Sequence, residues 1–248
     1  MFANYNTTQY DNADKQRKNK RTKRKSNSSS QSTAVGSSGL RLKHIEPKTK
    51  NQVITFDEYK NNNHCVMHGV AGTGKTFISL YLAFDEIFNA KEKQKIICIR
   101  SVVPTRDIGF LPGNEKEKAK VYEMPYSNIC NELFGRGDAY EILKTKKQFE
   151  FMTSSFLRGM TFNDATIIID EAQNLSFHEL DTIITRLGRN CRLIVAGDFR
   201  QSDLEKNGLL PFFSILKRMR SFSFIEFNIG DIVRSGIVKE YLTIKHTM

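Results

Sequence analysis

The residues best suited to chemistry form one glycine-rich octapeptide: Gly69, Val70, Ala71, Gly72, Thr73, Gly74, Lys75 and Thr76. Glycines let successive backbone N–H groups surround an anion, because no Cβ blocks the approach or restricts the dihedral angles. We expect Lys75 to reach the β- and γ-phosphates of a nucleotide and the Thr76 hydroxyl to bind Mg²⁺. An ordinary tight turn is the alternative. An apolar run before the octapeptide and a helix-like segment after it favour the phosphate-binding loop.

A pair of adjacent carboxylates is the second candidate for chemistry. Asp170 and Glu171 follow residues 165–169, which contain four β-branched residues in succession and predict a buried strand. Ligands collect beyond the carboxyl ends of parallel strands, so both acids are expected to face the phosphate loop. We predict that Asp170 holds Mg²⁺, mostly through water, and that Glu171 orients and polarises the attacking water. The alternative is a strand that merely ends in acids.

Two glutamines are candidate nucleotide contacts. Gln201 lies beyond the predicted strand 192–196 and a Gly-Asp turn, where its amide is expected to hydrogen-bond the γ-phosphate or the attacking water. Such a contact disappears when phosphate leaves, which predicts a sensor. Gln52 precedes the loop at an offset where many nucleotide-driven motors place a glutamine that reads the adenine edge. The alternative for Gln201 is a plain turn after the strand. The alternative for Gln52 is a polar surface residue.

Alternating apolar runs and helical segments must position these side chains. The predicted strands are residues 64–68, 95–99, 150–153, 165–169, 192–196 and 222–227. Between and after them, helical patterns cover residues 77–84, 176–187, with a Ser176–Glu179 capping box, 211–220 and a terminal segment from Gly236. Residues 114–134 predict one or two surface helices. This order predicts an α/β fold, with a mostly parallel sheet and helices on both faces.

Residues 1–40 predict a disordered basic tail, followed by one domain over residues 41–248. Eight basic and two acidic residues give the tail a net charge of +6, which leaves +5 for the rest of the chain. Nucleic-acid phosphates are the expected partner; a solvated tail or membrane-surface attachment are the alternatives. Arg100 and Arg106, around the loop after the second strand, are further candidates for a polynucleotide contact.

Hydropathy and cysteine spacing indicate where in the cell the protein is expected. No apolar stretch approaches the roughly 20 residues needed to span a bilayer, and the first residues lack a signal-peptide core. We therefore expect a soluble, cytoplasmic protein without membrane contact. The four cysteines, Cys65, Cys98, Cys130 and Cys191, fit no zinc template, and buried reduced thiols are expected.

Several motifs in this order resemble the PhoH-like proteins. They are the phosphate loop, residues 170–174, residues 197–198 with Gln201, residues 231–234, residues 109–113, and residues 158–159 with Thr161, Asn163, Asp164 and Ala165. The resemblance covers residues 45–245. It implies a single RecA-like P-loop NTPase domain similar to superfamily-one helicase cores, ATP binding and hydrolysis, a link to RNA metabolism, and adenine contact by Gln52.

A single domain of this kind lacks the second domain from which related helicases provide a catalytic arginine. Two-domain helicases provide an arginine to the γ-phosphate from their second domain, whereas about 208 residues here suffice for one domain. Our hypothesis is that Arg234 reaches the γ-phosphate of a neighbouring subunit, which requires a ring, a hexamer being favoured. A surface arginine that caps the last helix is the alternative.

The sequence therefore favours an Mg²⁺-dependent ATPase that acts on RNA or single-stranded nucleic acid. Two other classes stay open: a regulatory module that holds ATP without useful turnover, and a P-loop kinase of a small molecule. The kinase is disfavoured, because Glu171 and Gln201 suit water activation and no second basic acceptor pocket stands out.

Overall fold

The computed structural model describes residues 39–101, 115–154, 157, 159–199 and 209–247, apart from the side chains of residues 115–119 and 247. Several predictions concern residues beyond these ranges. The basic tail up to residue 38, Arg106, residues 109–113, Arg158 and Gln201 all lie outside the described residues.

One six-stranded sheet forms the centre of the described chain. Its strands are β1 (His64–Gly69), β2 (Lys95–Arg100), β3 (Phe149–Thr153), β4 (Ala165–Asp170), β5 (Arg192–Gly197) and β6 (Phe222–Phe227). The order across the sheet is β3-β2-β4-β5-β1-β6, and all five strand pairs are parallel. The apolar runs therefore predicted every one of these strands to within one residue at each end.

Seven α-helices occur in the described residues: α1 (Lys50–Lys60), α2 (Lys75–Asp85), α3 (Glu115–Phe134), α4 (Ala139–Thr145), α5 (Phe177–Thr185), α6 (Leu209–Arg218) and α7 (Gly236–Thr247). A π-helix, Glu86–Ala90, continues α2. The capping box at the start of α5 is present as predicted. Sequence reasoning missed α1, although Thr49 accepts from the Gln52 N–H as its N-cap, and it missed α4.

Helices cover both faces of the sheet. Strand side chains alternate between two buried clusters: Cys98 packs with α1 to α4 on one face, while Ile97 and Ile99 pack with α5 and α6 on the other. Strand β5 separates β1, which leads into the glycine-rich loop, from β4, which ends in Asp170. The predicted RecA-like P-loop α/β fold is confirmed.

Helix α3 differs from its prediction as a surface element. It is one helix that contains Pro125, and its side chains Tyr126, Cys130 and Leu133 are fully buried. Val121, on the same helix, is 48% exposed. The true inward face follows the i, i+4, i+7 spacing from Tyr126, so this helix belongs to the core.

Three smaller expectations can be compared with the described chain. Leu40 is buried, so the folded domain includes a residue that we had assigned to the tail. All four cysteines are free; Cys65, Cys98 and Cys130 are buried as expected, whereas Cys191 is half-buried. Within the part of the chain that is described, no helix combines the length and apolar character needed to cross a membrane.

Candidate nucleotide site

A cavity of about 570 Å³ lies where the glycine-rich loop, the ends of β4 and β5, and the start of α1 meet. Most of the predicted site residues line it. They are Gln52, the loop residues from Ala71 to Thr76, Asp170, Glu171 and Arg234, and they are joined by Gln173, Gly197, Asp198 and Val233. The structure thus brings together residues that are far apart in the sequence. Sequence reasoning had not assigned site roles to Gln173 or Asp198.

The loop adopts a conformation that requires glycine at two positions. At Gly69 (φ 115°) a Cβ would lie 2.0 Å from the Phe227 carbonyl oxygen, so β6 leaves no room for any side chain. Gly74 (φ 85°) has a left-handed conformation immediately before α2 begins at Lys75. Lys75 and Thr76, the first residues of α2, line the cavity, and the unpaired amides at the start of a helix attract phosphate.

Lys75 is folded back over the loop. Its Nζ donates to the carbonyl oxygens of Gly69 (2.9 Å) and Val70 (2.8 Å), which uses two of its three N–H donors. Burial lowers the pKa of Lys75, while the carboxylates of Asp198, Glu171 and Asp170 oppose that effect. A cation is thus held among three acids at the cavity wall.

Thr76 and Asp170 meet directly. The Thr76 hydroxyl donates to Asp170 Oδ1 (2.9 Å), and the Tyr126 hydroxyl donates to Asp170 Oδ2 (2.7 Å). Burial raises the pKa of Asp170, and the nearby Glu171 charge adds to this. Hydrogen bonds from Tyr126 and Thr76, together with the Arg100 guanidinium, act in the opposite direction. Asp170 is only 4% exposed, so its ionised form would be stabilised by a cation in the cavity.

This pair fits Mg²⁺ chemically. A carboxylate and a hydroxyl are hard oxygen ligands, and Mg²⁺ in nucleotide enzymes is held by one or two protein oxygens plus phosphates and water. Among the described residues there is no group of three or more His, Cys, Asp or Glu side chains that could hold a metal unaided. A metal at Thr76 and Asp170 would therefore need phosphate oxygens and water to complete its shell.

Glu171 has an unusual backbone and a fixed side chain. Its φ of 51° and ψ of 46° are left-handed, a conformation that costs a non-glycine residue of order 1–3 kcal/mol. Gln173 Nε2 donates to Glu171 Oε2 (2.5 Å), and Gln173 Oε1 accepts from the Asp198 N–H (3.1 Å). Gln173 thus links the ends of β4 and β5 and holds the carboxylate at the cavity.

Gln52 reaches the loop, but its amide is bonded to backbone. Its oxygen accepts from the Lys48 N–H (2.7 Å), and its Nε2 donates to the Thr73 carbonyl oxygen (3.1 Å). Gln52 is buried at 4% exposure and also borders the cavity. The observed contacts brace the loop against α1, and adenine recognition by Gln52 stays a prediction.

Arg234 borders the cavity of its own chain. The preceding Val233 N–H donates to the Gly72 carbonyl oxygen (3.2 Å), and a Cβ on Gly72 would lie 3.2 Å from Arg234 Cγ. The side chain is exposed at this rim. No neighbouring subunit is needed to bring Arg234 to the loop, and its predicted action across a subunit interface stays a prediction.

A buried carboxylate, missed in the sequence, joins the Arg234 segment to α1. Asp231 Oδ2 accepts from Asn51 Nδ2 (2.7 Å) and from the Asn228 N–H (2.9 Å), and Asp231 is 3% exposed. Asn51 is next to Gln52, which donates to the loop, and the segment after Asp231 also donates to the loop through the Val233 N–H. Helix α1, the Arg234 segment and the loop are therefore each hydrogen-bonded to the other two. The sequence signal that could have pointed to Asp231 is the Asp-Ile-Val-Arg motif at residues 231–234.

Arg100 lies next to the site rather than in solvent. It is half-buried, its guanidinium lies 5.7 Å from the Tyr122 ring centroid, and it contacts the Tyr126 hydroxyl. The parallel register places Arg100 beside Asp170 on the neighbouring strand, which explains this position.

The sequence model of the PhoH family, described as PhoH-like protein, matches residues 44–245. A PhoH-like protein of Bacillus subtilis is 33% identical over 203 residues, which are 81% of this chain and 63% of that protein. The PhoH-like protein of Mycobacterium leprae is 33% identical over 206 residues, covering 81% and 58%. Protein PhoH of Escherichia coli K12 is 32% identical, covering 70% and 50%. The chain thus spans about half to two thirds of these relatives.

Among solved structures, the large terminase of a thermophilic bacteriophage superposes with a TM-score of 0.48 at 9% identity, covering 79% of this chain and 50% of that one. The SWI2/SNF2 ATPase core of Sulfolobus solfataricus in complex with dsDNA gives a TM-score of 0.39 at 16% identity, covering 78% and 40%. Because both scores are below 0.5, the fold assignment depends on the sheet order and the loop geometry.

Proposed function

This chain belongs to the PhoH-like protein family, and on that premise we propose that it binds ATP with Mg²⁺ and hydrolyses it. The observation that carries the proposal is the meeting of the glycine-rich loop with the acidic strand end, where Thr76 Oγ1 lies 2.9 Å from Asp170 Oδ1. A phosphate on the amides of the loop would be adjacent to both carboxylates. A ligand that carries phosphate and a hard cation would use all of these groups.

The loop and its lysine bind and orient the phosphates. Backbone amides at the start of α2 contact phosphate oxygens, and the Lys75 ammonium is positioned to exchange its carbonyl partners for the β- and γ-phosphates. Thr76 and Asp170 are the proposed protein contacts to Mg²⁺, which supplies charge neutralisation on the transferring phosphoryl group. Holding the reactants in place is most of what catalysis requires in this chemistry.

Glu171 is the proposed group that orients and polarises water. Its carboxylate is fixed by Gln173 near the loop, and its left-handed backbone turns it away from the β4 strand direction. Gln201 is proposed to sense the γ-phosphate. Arg234 is exposed at the rim of the cavity of its own chain, and it is proposed to reach the γ-phosphate bound by a neighbouring subunit.

The base is proposed to lie against the apolar part of the cavity. The apolar lining residues include Ile45, Phe77 and Ile129, and Gln52, which also lines the cavity, donates to the Thr73 carbonyl oxygen of the loop. An adenine ring would be desolvated there, and Gln52 is proposed to contact its edge after exchanging one of its backbone partners.

A nucleic acid is the proposed macromolecular partner, and RNA is favoured. The chain carries a net charge of +11, of which +6 belongs to residues 1–40. Phosphate binding by such an excess releases counterions, so affinity should fall steeply with salt. Comparing the full chain with a variant lacking residues 1–38, on single-stranded RNA at several salt concentrations, tests whether the basic segment supplies affinity.

A homo-oligomer, for which we favour a ring, is proposed as the working assembly. Helix α7 exposes Ile237 (79%), Tyr241 (64%) and Ile244 (52%), which share one helical face. Light scattering coupled to size exclusion, with ATP and Mg²⁺ present, tests this. A strict monomer with full ATPase activity would refute the assembly.

The decisive assay for function is ATP hydrolysis with and without single-stranded RNA. Turnover that RNA stimulates supports the proposal. Nucleotide binding without turnover in both wild type and Glu171→Gln would favour a regulatory module. Transfer of the γ-phosphate to a metabolite, rather than to water, would favour a small-molecule kinase.

A further inference from the structure

Tyr126 is a buried hydroxyl that the proposed mechanism does not use. It lies on α3, is 0% exposed, and donates to Asp170 Oδ2 at 2.7 Å. The other carboxylate oxygen of Asp170 accepts from Thr76 at 2.9 Å. The two bonds together fix the plane of the Asp170 carboxylate.

The surroundings of Tyr126 restrict the direction of its proton. Arg100, which the parallel register places beside Asp170, carries a guanidinium that cannot accept a proton. Tyr126 has one hydroxyl proton and an ionised carboxylate can only accept, so this proton is directed to Asp170. The Tyr126 ring packs against Phe151, with centroids 5.4 Å apart, which holds the side chain in place.

We propose that Tyr126 is a positioning residue that holds Asp170 in the orientation required to bind Mg²⁺ beside Thr76. This inference rests on the proposed function of the site. Tyr126 is absent from the cavity lining, so it acts through Asp170 and not on the nucleotide. Groups that orient a metal-binding side chain in this way commonly change metal affinity by about 10- to 100-fold.

The position of Tyr126 also links the metal side of the site to α3. Ile129 and Glu132, on the same helix, line the cavity directly. A displacement of α3 would therefore move both the cavity wall and the hydrogen bond that orients Asp170.

Tyr126→Phe removes only the hydroxyl, and Tyr140→Phe is the matched control. Tyr140 is also buried in the same core cluster, but its hydroxyl donates to Glu123, remote from Asp170 in the hydrogen-bond network. A fluorescent ATP analogue is titrated into each full-length protein in EDTA and at increasing Mg²⁺. We expect Tyr126→Phe to raise the Mg²⁺ concentration at half-maximal effect about 10-fold, with unchanged affinity in EDTA. Tyr140→Phe should match wild type.

Arg100→Met supplies a second variant, because it removes the positive charge beside Asp170 and leaves the Tyr126 hydroxyl in place. It should lower the Mg²⁺ midpoint, since a cation that repels Mg²⁺ is lost. A wild-type midpoint in Tyr126→Phe, or a midpoint that Arg100→Met raises as much as Tyr126→Phe does, would overturn the role of Tyr126 and leave the proposed function intact. If wild type itself binds the analogue without any Mg²⁺ dependence, the proposed function and this inference both fail.

Discussion

Glu171 occupies a left-handed backbone conformation, and its carboxylate is held by one amide at 2.5 Å. A strained acidic residue fixed beside a phosphate loop suits a group that must hold water in one orientation. The same side chain is expected to contribute little to nucleotide binding, because Lys75 and the loop amides hold the phosphates.

Glu171→Gln should therefore separate binding from turnover. We expect kcat for ATP hydrolysis to fall by about 10²–10⁴-fold, since the glutamine amide cannot accept a proton. Affinity for a fluorescent ATP analogue should stay within about twofold of wild type. Glu141→Gln, at an exposed position on α4, is the control and should leave kcat unchanged. Equal loss of binding and turnover in Glu171→Gln would contradict the assigned role.

Gly72 illustrates how closely the loop is packed. Its φ is 78°, and a Cβ there would lie 3.1 Å from Leu242 Cδ1 and 3.2 Å from Arg234 Cγ. Gly72→Ala should destabilise the fold by about 1–2 kcal/mol and weaken nucleotide binding, because the left-handed conformation is strained and Arg234 is displaced. Urea unfolding and nucleotide titration measure the two effects.

Gly137→Ala is the matched substitution, since a Cβ at Gly137 meets nothing within 4 Å. It should change stability by less than about 0.5 kcal/mol. Similar losses in both variants would show that the effect at Gly72 is not specific to the loop.

At the scale of elements, the strands were predictable because a sheet covered on both faces requires short, continuously apolar runs. Helix α1 was missed because its sequence is polar, and its stability comes from the Thr49 cap and from Phe56 and Tyr59 in the core. The Tyr126–Asp170 bond was also missed. It joins residues 44 positions apart, and no local pattern encodes such a contact.

The candidate site was predictable only in part. The loop and the acidic pair have local signatures, and the fold brought them together as the strand order implies. The contacts of Gln173 depend on the distance between the ends of β4 and β5. The contacts of Asp231 depend on the path that the chain takes after β6. Their roles became apparent only from hydrogen bonds across elements.

Asp231 connects α1 to the Arg234 segment and should make stability depend on pH. Burial alone would raise its pKa, but hydrogen bonds from Asn228, Asn51 and Thr49 hold the pKa below its ordinary value. A depressed folded-state pKa contributes stability above the unfolded-state value, near pH 4, and that contribution is lost as pH falls through the folded-state pKa.

Asp231→Asn should thus lose about 1–3 kcal/mol at neutral pH, because an amide group would face N–H donors. Its unfolding free energy should decline less than that of wild type between pH 5 and pH 3. Urea unfolding at several pH values measures this difference. Parallel pH profiles for the two proteins would refute the assignment.

A buried ionic cluster lies at the amino ends of the strands. Glu86 is 3.3 Å from Arg192 and 3.6 Å from Lys93, and it accepts from the hydroxyls of Tyr59 (2.5 Å) and Thr166 (2.8 Å). Glu86→Ala should cost about 3 kcal/mol of stability, since two buried cations lose their partner.

Glu150→Ala breaks the half-buried Lys95–Glu150 pair (3.8 Å) and should cost less than about 1 kcal/mol. Thermal unfolding compares the two variants. Nucleotide affinity of folded Glu86→Ala should equal that of wild type, because the cluster is at the sheet edge opposite the cavity. A large affinity loss in that variant would show that the two edges are coupled.

At the scale of the whole molecule, one α/β domain places a nucleotide site at the carboxyl edge of its sheet, within a chain of net charge +11. The residues that line the cavity at this edge come from six separate stretches of sequence. Their joint action on one ligand is the claim from which the proposed activity follows.

Calorimetric titration with a non-hydrolysable ATP analogue, with Mg²⁺ and with EDTA, measures whether these residues act together on one ligand. Wild type should bind more tightly with Mg²⁺, Lys75→Ala should bind weakly under both conditions, and Asp170→Ala should lose only the Mg²⁺-dependent part. Wild type that ignores the analogue, or Asp170→Ala that keeps the full Mg²⁺ effect, would contradict that joint action.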